Sequence, residues 1–350
     1  MLTPAYAPLD DALEMLAPYG PDLTNGNFNH APMAVEALCA LGRPDAVFPW
    51  IEAYRARMTP RQPAGDPVDW SEWRTHLGRR EDFSAWSQLF AAELGEEPWR
   101  SVLDRWALRL APGYSGAATH GAIRVGHAVR ALAESETRVR LRELADALAS
   151  WAASYSELPE APNAAGVRLT PRAAIEALPV VPPDRRPPGN ITTALNRLVD
   201  FPEFAPSIDA ADLGGPLGER VAELSELFAR IYLANAVDTR TFIVFVHSVT
   251  AVHALGNIAP QVSEATARSL ARYAWQAGCG LYAAFGGAGI KDELEPGDDD
   301  PQALVDQAVA NGDEHIVKFT EACMARLKIA PSPVYLAAIR HALDLVGRRR

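Results

Sequence analysis

RTFIVFVHSVTAVHALGNI, Arg240 to Ile258, reads in two ways, and the choice sets the fold class. The run from Ile243 to Val246 is β-branched and aromatic, as in a buried strand. The whole stretch, however, is longer than an ordinary strand and continues with helical spacing through Ala254 and Leu255, so it is expected to be a helix buried on most sides. Its neighbours agree. Gly218–Val237 before it and Glu264–Gly286 after it place apolar residues at i, i+3 and i+4. The same period marks Glu81–Leu94, Glu97–Ala111, Arg138–Tyr155, Asp313–Leu327 and Pro333–Val346. Shorter helices are expected at Ala12–Ala17 and Pro32–Leu41, joined by a Gly/Asn-rich loop at Tyr19–Asn27, and at Asp45–Ala56, with Pro49 kinking it or marking its first turn. A further helix runs through Ala133 out of the small-residue segment GYSGAATHG. No βαβ alternation, phosphate loop, dinucleotide fingerprint or nucleophile elbow occurs. The expected class is all-α, one domain over residues 1–350, with the Pro-rich stretch Leu178–Asn190 as a surface crossing.

Composition narrows the function classes. The chain has 350 residues, 48% of them hydrophobic, and a formal net charge of −11 without a basic stripe, which argues against a nucleic-acid partner. The sequence pattern predicts no membrane span and no signal peptide. Three scattered cysteines, Cys39, Cys279 and Cys323, suit reduced thiols in a cytoplasm. The acidic run Lys291–Asp300 lacks calcium-loop spacing and reads as a solvated loop.

Chemistry concentrates in the histidines. His76 and His341 sit in polar surroundings and are expected to be exposed. The others, His30, His120, His127, His247, His253 and His315, lie in or beside apolar, small-residue helices. His120 and His127 are seven residues apart, about 10 Å along a helix, so they are not expected to share one ion. Arg124, one turn after His120, is placed to contact an anionic substrate group or a neighbour. His247 and His253 are six apart, a rotation of about 240°, so either one packs elsewhere or a bend brings both to a ligand. His315 and Lys318 share a face. Lys318 is one of only three lysines and lies among Ile316, Val317 and Phe319. It either snorkels to water or pairs with Glu314 or Glu321, or else it is buried with a depressed pKa, open to Schiff-base or carbamate formation. Each histidine taken alone also has an ordinary reading as a hydrogen-bonded core residue.

Taken in order, NFNHAPMAVEALCALG, GYSGAATHGAIRVGHAVRAL, FVHSVTAVHALG, SLARYAWQAGCGLYAA and DEHIVKFTEAC resemble segments of the questin oxidase-like family over nearly the whole chain. His30 matches the family's Asn-His at a helix mouth, His120 the first histidine of its His-Pro-x-x-His-x-Gly segment, His247 and His253 its His-x-Val-Thr-x-x-His-Ala-Leu segment, and His315 with Lys318 its His-x-x-Lys helix. Gly121 and Arg124 depart from the second of these, standing where the family has Pro and a second His.

The resemblance implies an oxygenase that oxidises or opens an aromatic quinone or polyketide with O2. It implies a non-haem iron held by His30, His120, His247, His253, His315 and a carboxylated Lys318, with reduced nicotinamide as an external reductant. Lys318 and Arg124 are the residues expected to serve catalysis. His30, His120 and His247 are expected to converge. Asn29, Thr250 and Glu314 would orient imidazoles, and Trp50, Tyr114 and Phe245 would stack on a planar substrate. The competing readings are a non-catalytic helical protein that binds a hydrophobic small molecule, and lysine Schiff-base chemistry at Lys318.

Overall fold

Helix starts are written into the chain as caps. In the computed structural model, which describes residues 4–68, 71–162, 166–294, 297 and 299–347, Asp238 opens the deciding helix through a capping box with Thr241. Thr137, Ser263 and Asp313 cap three others through side-chain oxygens. The α-helices are α1 (Leu9–Leu16), α2 (Ala31–Ala40), α3 (Val47–Tyr54), α4 (Phe83–Glu96), α5 (Trp99–Leu110), α6 (His120–Glu134), α7 (Arg138–Ala153), α8 (Pro171–Glu176), α9 (Ile191–Asn196), α10 (Leu217–Asn235), α11 (Thr239–Ile258), α12 (Glu264–Phe285), α13 (Pro301–Asn311), α14 (Glu314–Ile329) and α15 (Pro333–Gly347). The fold is a single all-α domain. Pro49 falls in the first turns of α3, where its missing N–H costs nothing.

α11 is the axis of the molecule. It is apolar on nearly every side because α6, α10, α12 and α14 all pack around it. By length and mean hydropathy, 1.6, it would suffice to cross a membrane, but 78% of that window is buried inside the fold. α6 in turn lies between α11, α7 and α2, so α2, α6, α11 and α14 meet along one seam. Close approach along it is made by small residues: a Cβ on Gly126 of α6 would sit 2.7 Å from Ala254 of α11, and one on Gly121 would sit 2.5 Å from the Trp151 backbone of α7. The glycines around His120 thus admit neighbouring backbone.

Several elements differ from the sequence expectation. Tyr19–Leu23, read as loop, is a strand β1 that pairs antiparallel with β2, Met58–Pro60. α8, α9 and α13 were not expected. Leu178–Asn190 runs over the surface, half-buried to exposed, and is tied down where the Val181 N–H donates to the Ala283 carbonyl.

Candidate metal centre

His30 is the residue before α2, but its ring makes no cap to that helix, and its Nδ1 has no hydrogen-bond partner. The ring points into the seam instead. His120 enters from the start of α6 after three consecutive left-handed residues, Ala117, Ala118 and Thr119, at φ of 46°, 56° and 70°. Each such non-glycine residue costs on the order of 1 kcal/mol, a strain placed at a site where a side chain is being aimed. That turn brings the Ala117 carbonyl against His120 Nδ1. One helical turn before His247, the Ile243 carbonyl does the same at 2.5 Å from its Nδ1.

These two carbonyls decide the tautomers. A carbonyl only accepts, so each Nδ1 carries the proton and each Nε2 presents a lone pair. His120 Nε2 lies 2.9 Å from His30 Nε2 and 3.2 Å from His247 Nε2. His30 can donate one proton to His120, but His247 and His120 then face each other lone pair to lone pair. His315, from the first turn of α14, closes the group: its ring centre is 4.6 Å from that of His30 and 5.8 Å from that of His247. One nitrogen each from His30, His120 and His315 lie within 4.8 Å of one another. The His315 backbone is fixed by the Asp313 cap, whose carboxylate also sits 3.3 Å from His315 Nδ1.

Protonation cannot relieve the crowding. Burial, followed by the Lys318 charge and the neighbouring imidazoles, holds His30 well below the ordinary histidine pKa. For His120 burial is followed by His247, and for His247 by His315, with the same direction. Lys318 is itself buried, 2% exposed, and its pKa is lowered to about 8 by desolvation against the opposing pull of Glu314 and Asp313. The hydrogen-bond partner found for its Nζ among the described residues is the Met33 sulfur at 4.0 Å. It neither snorkels nor pairs, since Glu314 is engaged bidentately by Arg57 and Glu321 by Arg130. Convergent imidazole nitrogens, those of His30, His120 and His247 held neutral, are the donor set of a first-row transition ion, so the residues present fit a metal.

His253 and Arg124 do not join this group. The six-residue step from His247 turns His253 about 240° around α11, onto a second polar layer further along the seam. There its Nε2 lies 3.1 Å from Glu321. Arg130 joins both acids of that layer: it donates to Glu36 at 2.8 and 2.5 Å and to Glu321. His127 Nδ1 and the Tyr6 hydroxyl also bond Glu36, each at 2.6 Å. Burial would raise the Glu36 carboxyl, but Arg130 and His127 hold it at about 2. Each helix of the seam thus contributes at two levels: His30 and Glu36, His120 and His127, His247 and His253, His315 and Glu321. Arg124 is buried against α7, donating to Glu143 at 2.7 and 2.8 Å and to Ser150.

The expected helpers also lie elsewhere. Asn29 bonds the Gly20 carbonyl and the Ala31 N–H, and Thr250 bonds the Val246 carbonyl. Trp50 donates to Gly312, Tyr114 to Ala251, and Phe245 is a core residue. The ring that does lie on the site is Phe28, stacked on His120 with centroids 4.9 Å apart. His76 and His341 are half-buried, bonded to Asp82 and Tyr232, rather than exposed. Phe28, His30, His120, His247 and His315 open into one cleft of about 380 Å3, bounded on its outer side by residues 189–192 and by Arg80 and Arg240.

The all-α chain thus brings four histidines, three of them buried and His315 half-buried, to the floor of one cleft. Its questin oxidase-like family profile matches residues 28–323, which contain every one of these histidines and Lys318, and the chain belongs to that family. No curated protein matches the chain closely.

Proposed function

We propose that the protein is a non-haem iron oxygenase acting on an aromatic, quinone-like or polyketide substrate in the cleft above the histidines. Family membership supports the oxygenase chemistry, and the observation that carries the metal is the lone-pair-to-lone-pair approach of His120 and His247. In this reading His30, His120, His247 and His315 hold the iron, which would supply the activation of O2 that a spin-paired organic substrate lacks.

The remaining work falls to the protein. The Ala117 and Ile243 carbonyls lock two imidazoles in the metal-facing tautomer. Lys318, neutral in a large fraction of molecules near pH 8, adds CO2 at Nζ, forming an N–C bond, releasing a proton and becoming an anionic oxygen ligand. Phe28 gives a planar substrate a face to stack on, and a substrate seated in the cleft would itself shield the histidines from bulk water. Reduced nicotinamide acts, where electrons are needed, as an external reductant. The buried free thiols suit a reducing cytoplasm.

Metal analysis of protein purified without tag or chelator tests the reading, together with O2 consumption on hydroxylated anthraquinones. About one iron per chain is expected. Protein that carries no transition metal and takes none up on anaerobic addition of ferrous ion would overturn it.

A further inference from the structure

The cleft mouth carries a charge that the metal does not explain. The chain as a whole has a net charge of −11, so an anion approaching most of its surface is repelled. At the mouth the balance reverses. Arg80 is neutralised by Asp22 at 2.6 Å, and Glu314 by Arg57. Arg240, which lines the same cleft, has no carboxylate within ion-pair distance among the described residues, its charge reaching only at longer range to Asp238, the cap of α11. Its guanidinium donates one bond, 3.2 Å, to the Gly189 carbonyl and lies 5.6 Å from the Phe285 ring centre. Nor is it there for the helix. Arg240 is in the first turn of α11, where the helix dipole disfavours a cation. An exposed guanidinium with spare N–H donors, beside an aromatic-lined cleft, is a fork for an acidic oxygen.

We propose that Arg240 is a specificity-determining residue that selects aromatic substrates bearing an acidic oxygen, a carboxylate or an ionised phenol, over their neutral counterparts. This rests on the cleft being the substrate site. The ring system lies over Phe28 and the histidines while the acidic group reaches outward to Arg240.

The test is equilibrium binding to the full chain as purified, with two probe pairs. Anthraquinone-2-carboxylate against its methyl ester reports on a carboxylate, and 2-hydroxyanthraquinone against 2-methoxyanthraquinone, above the phenol pKa, reports on a phenolate. The expected result is that at least one acidic member binds about tenfold tighter than its neutral partner. Arg240→Gln brings that ratio to about one, and Arg240→Lys keeps part of it. If Arg240 only staples residue 189 to α11, the Gln variant weakens both members of a pair alike and the ratio persists. That outcome overturns the proposal, as does the absence of any anion preference in the wild type. Iron content, measured on the same preparations, reports on the oxygenase reading separately, because Arg240 touches none of the histidines' nitrogens.

Discussion

Lys318 shows how much one buried side chain constrains. A buried ammonium bonded to a thioether at 4.0 Å, with Glu314 and Asp313 acting on it only at longer range, is poorly compensated. Lys318→Ala is expected to lower iron occupancy and oxygenase activity together, and Lys318→Glu to restore part of the occupancy by supplying a carboxylate; elemental analysis with turnover measurements checks both. Unchanged occupancy in the Ala variant would remove Lys318 from the ligand set. The imidazoles make a second prediction. Their folded pKa values lie below the ordinary 6.5. Below about pH 6.5 the unfolded chain therefore binds protons that the folded cluster refuses, and stability falls as pH falls, by up to about 1.4 kcal/mol per pH unit for each such group. Melting of chelator-treated protein from about pH 7.5 to about pH 5 should show this slope, and His247→Gln should flatten it. A flat profile in the wild type would contradict the neutral cluster.

Helix spacing is what turns these residues into a site, and Gly126 sets it for α6 and α11. Gly126→Ala would drive a methyl to 2.7 Å from Ala254, so the two helices must part. The expected cost is about 1–3 kcal/mol, with weaker metal retention because His120 and His247 ride on those helices. Gly95→Ala on α4, whose new methyl meets nothing within 4 Å, should instead stabilise by about 0.5–1 kcal/mol. Denaturant titration of the pair separates crowding from propensity. The longer helices were legible in the sequence because an amphipathic or wholly apolar period survives without tertiary information. β1 was not, since its pairing partner lies some thirty-five residues on and Gly20 and Pro21 resemble a turn. α13 was hidden behind an acidic run. At the site, His315 with Lys318 followed from helix phase, and His30 was legible from its place at a helix mouth. The second layer was missed because Glu36 and Glu321 look like surface acids; their burial rests on Arg130, three residues after His127 on the same face of α6, together with the two imidazoles.

For the molecule as a whole, that second layer is a structural commitment. Arg130→Met would leave Glu36 buried with the His127 imidazole and the Tyr6 hydroxyl, and Glu321 buried with the His253 imidazole and the more distant charge of Arg326. A loss of about 3–5 kcal/mol in urea unfolding is expected, and a loss under about 1 kcal/mol would show that water reaches the layer. The guanidinium has a further consequence. Proteins that assemble their core around an ion commonly unfold when the ion is stripped. Here the helices already enclose a cation that is covalently part of α6 and that no chelator extracts. If the histidines hold iron as proposed, stripping that ion should therefore leave circular dichroism almost unchanged, the polypeptide keeping its fold with the site empty.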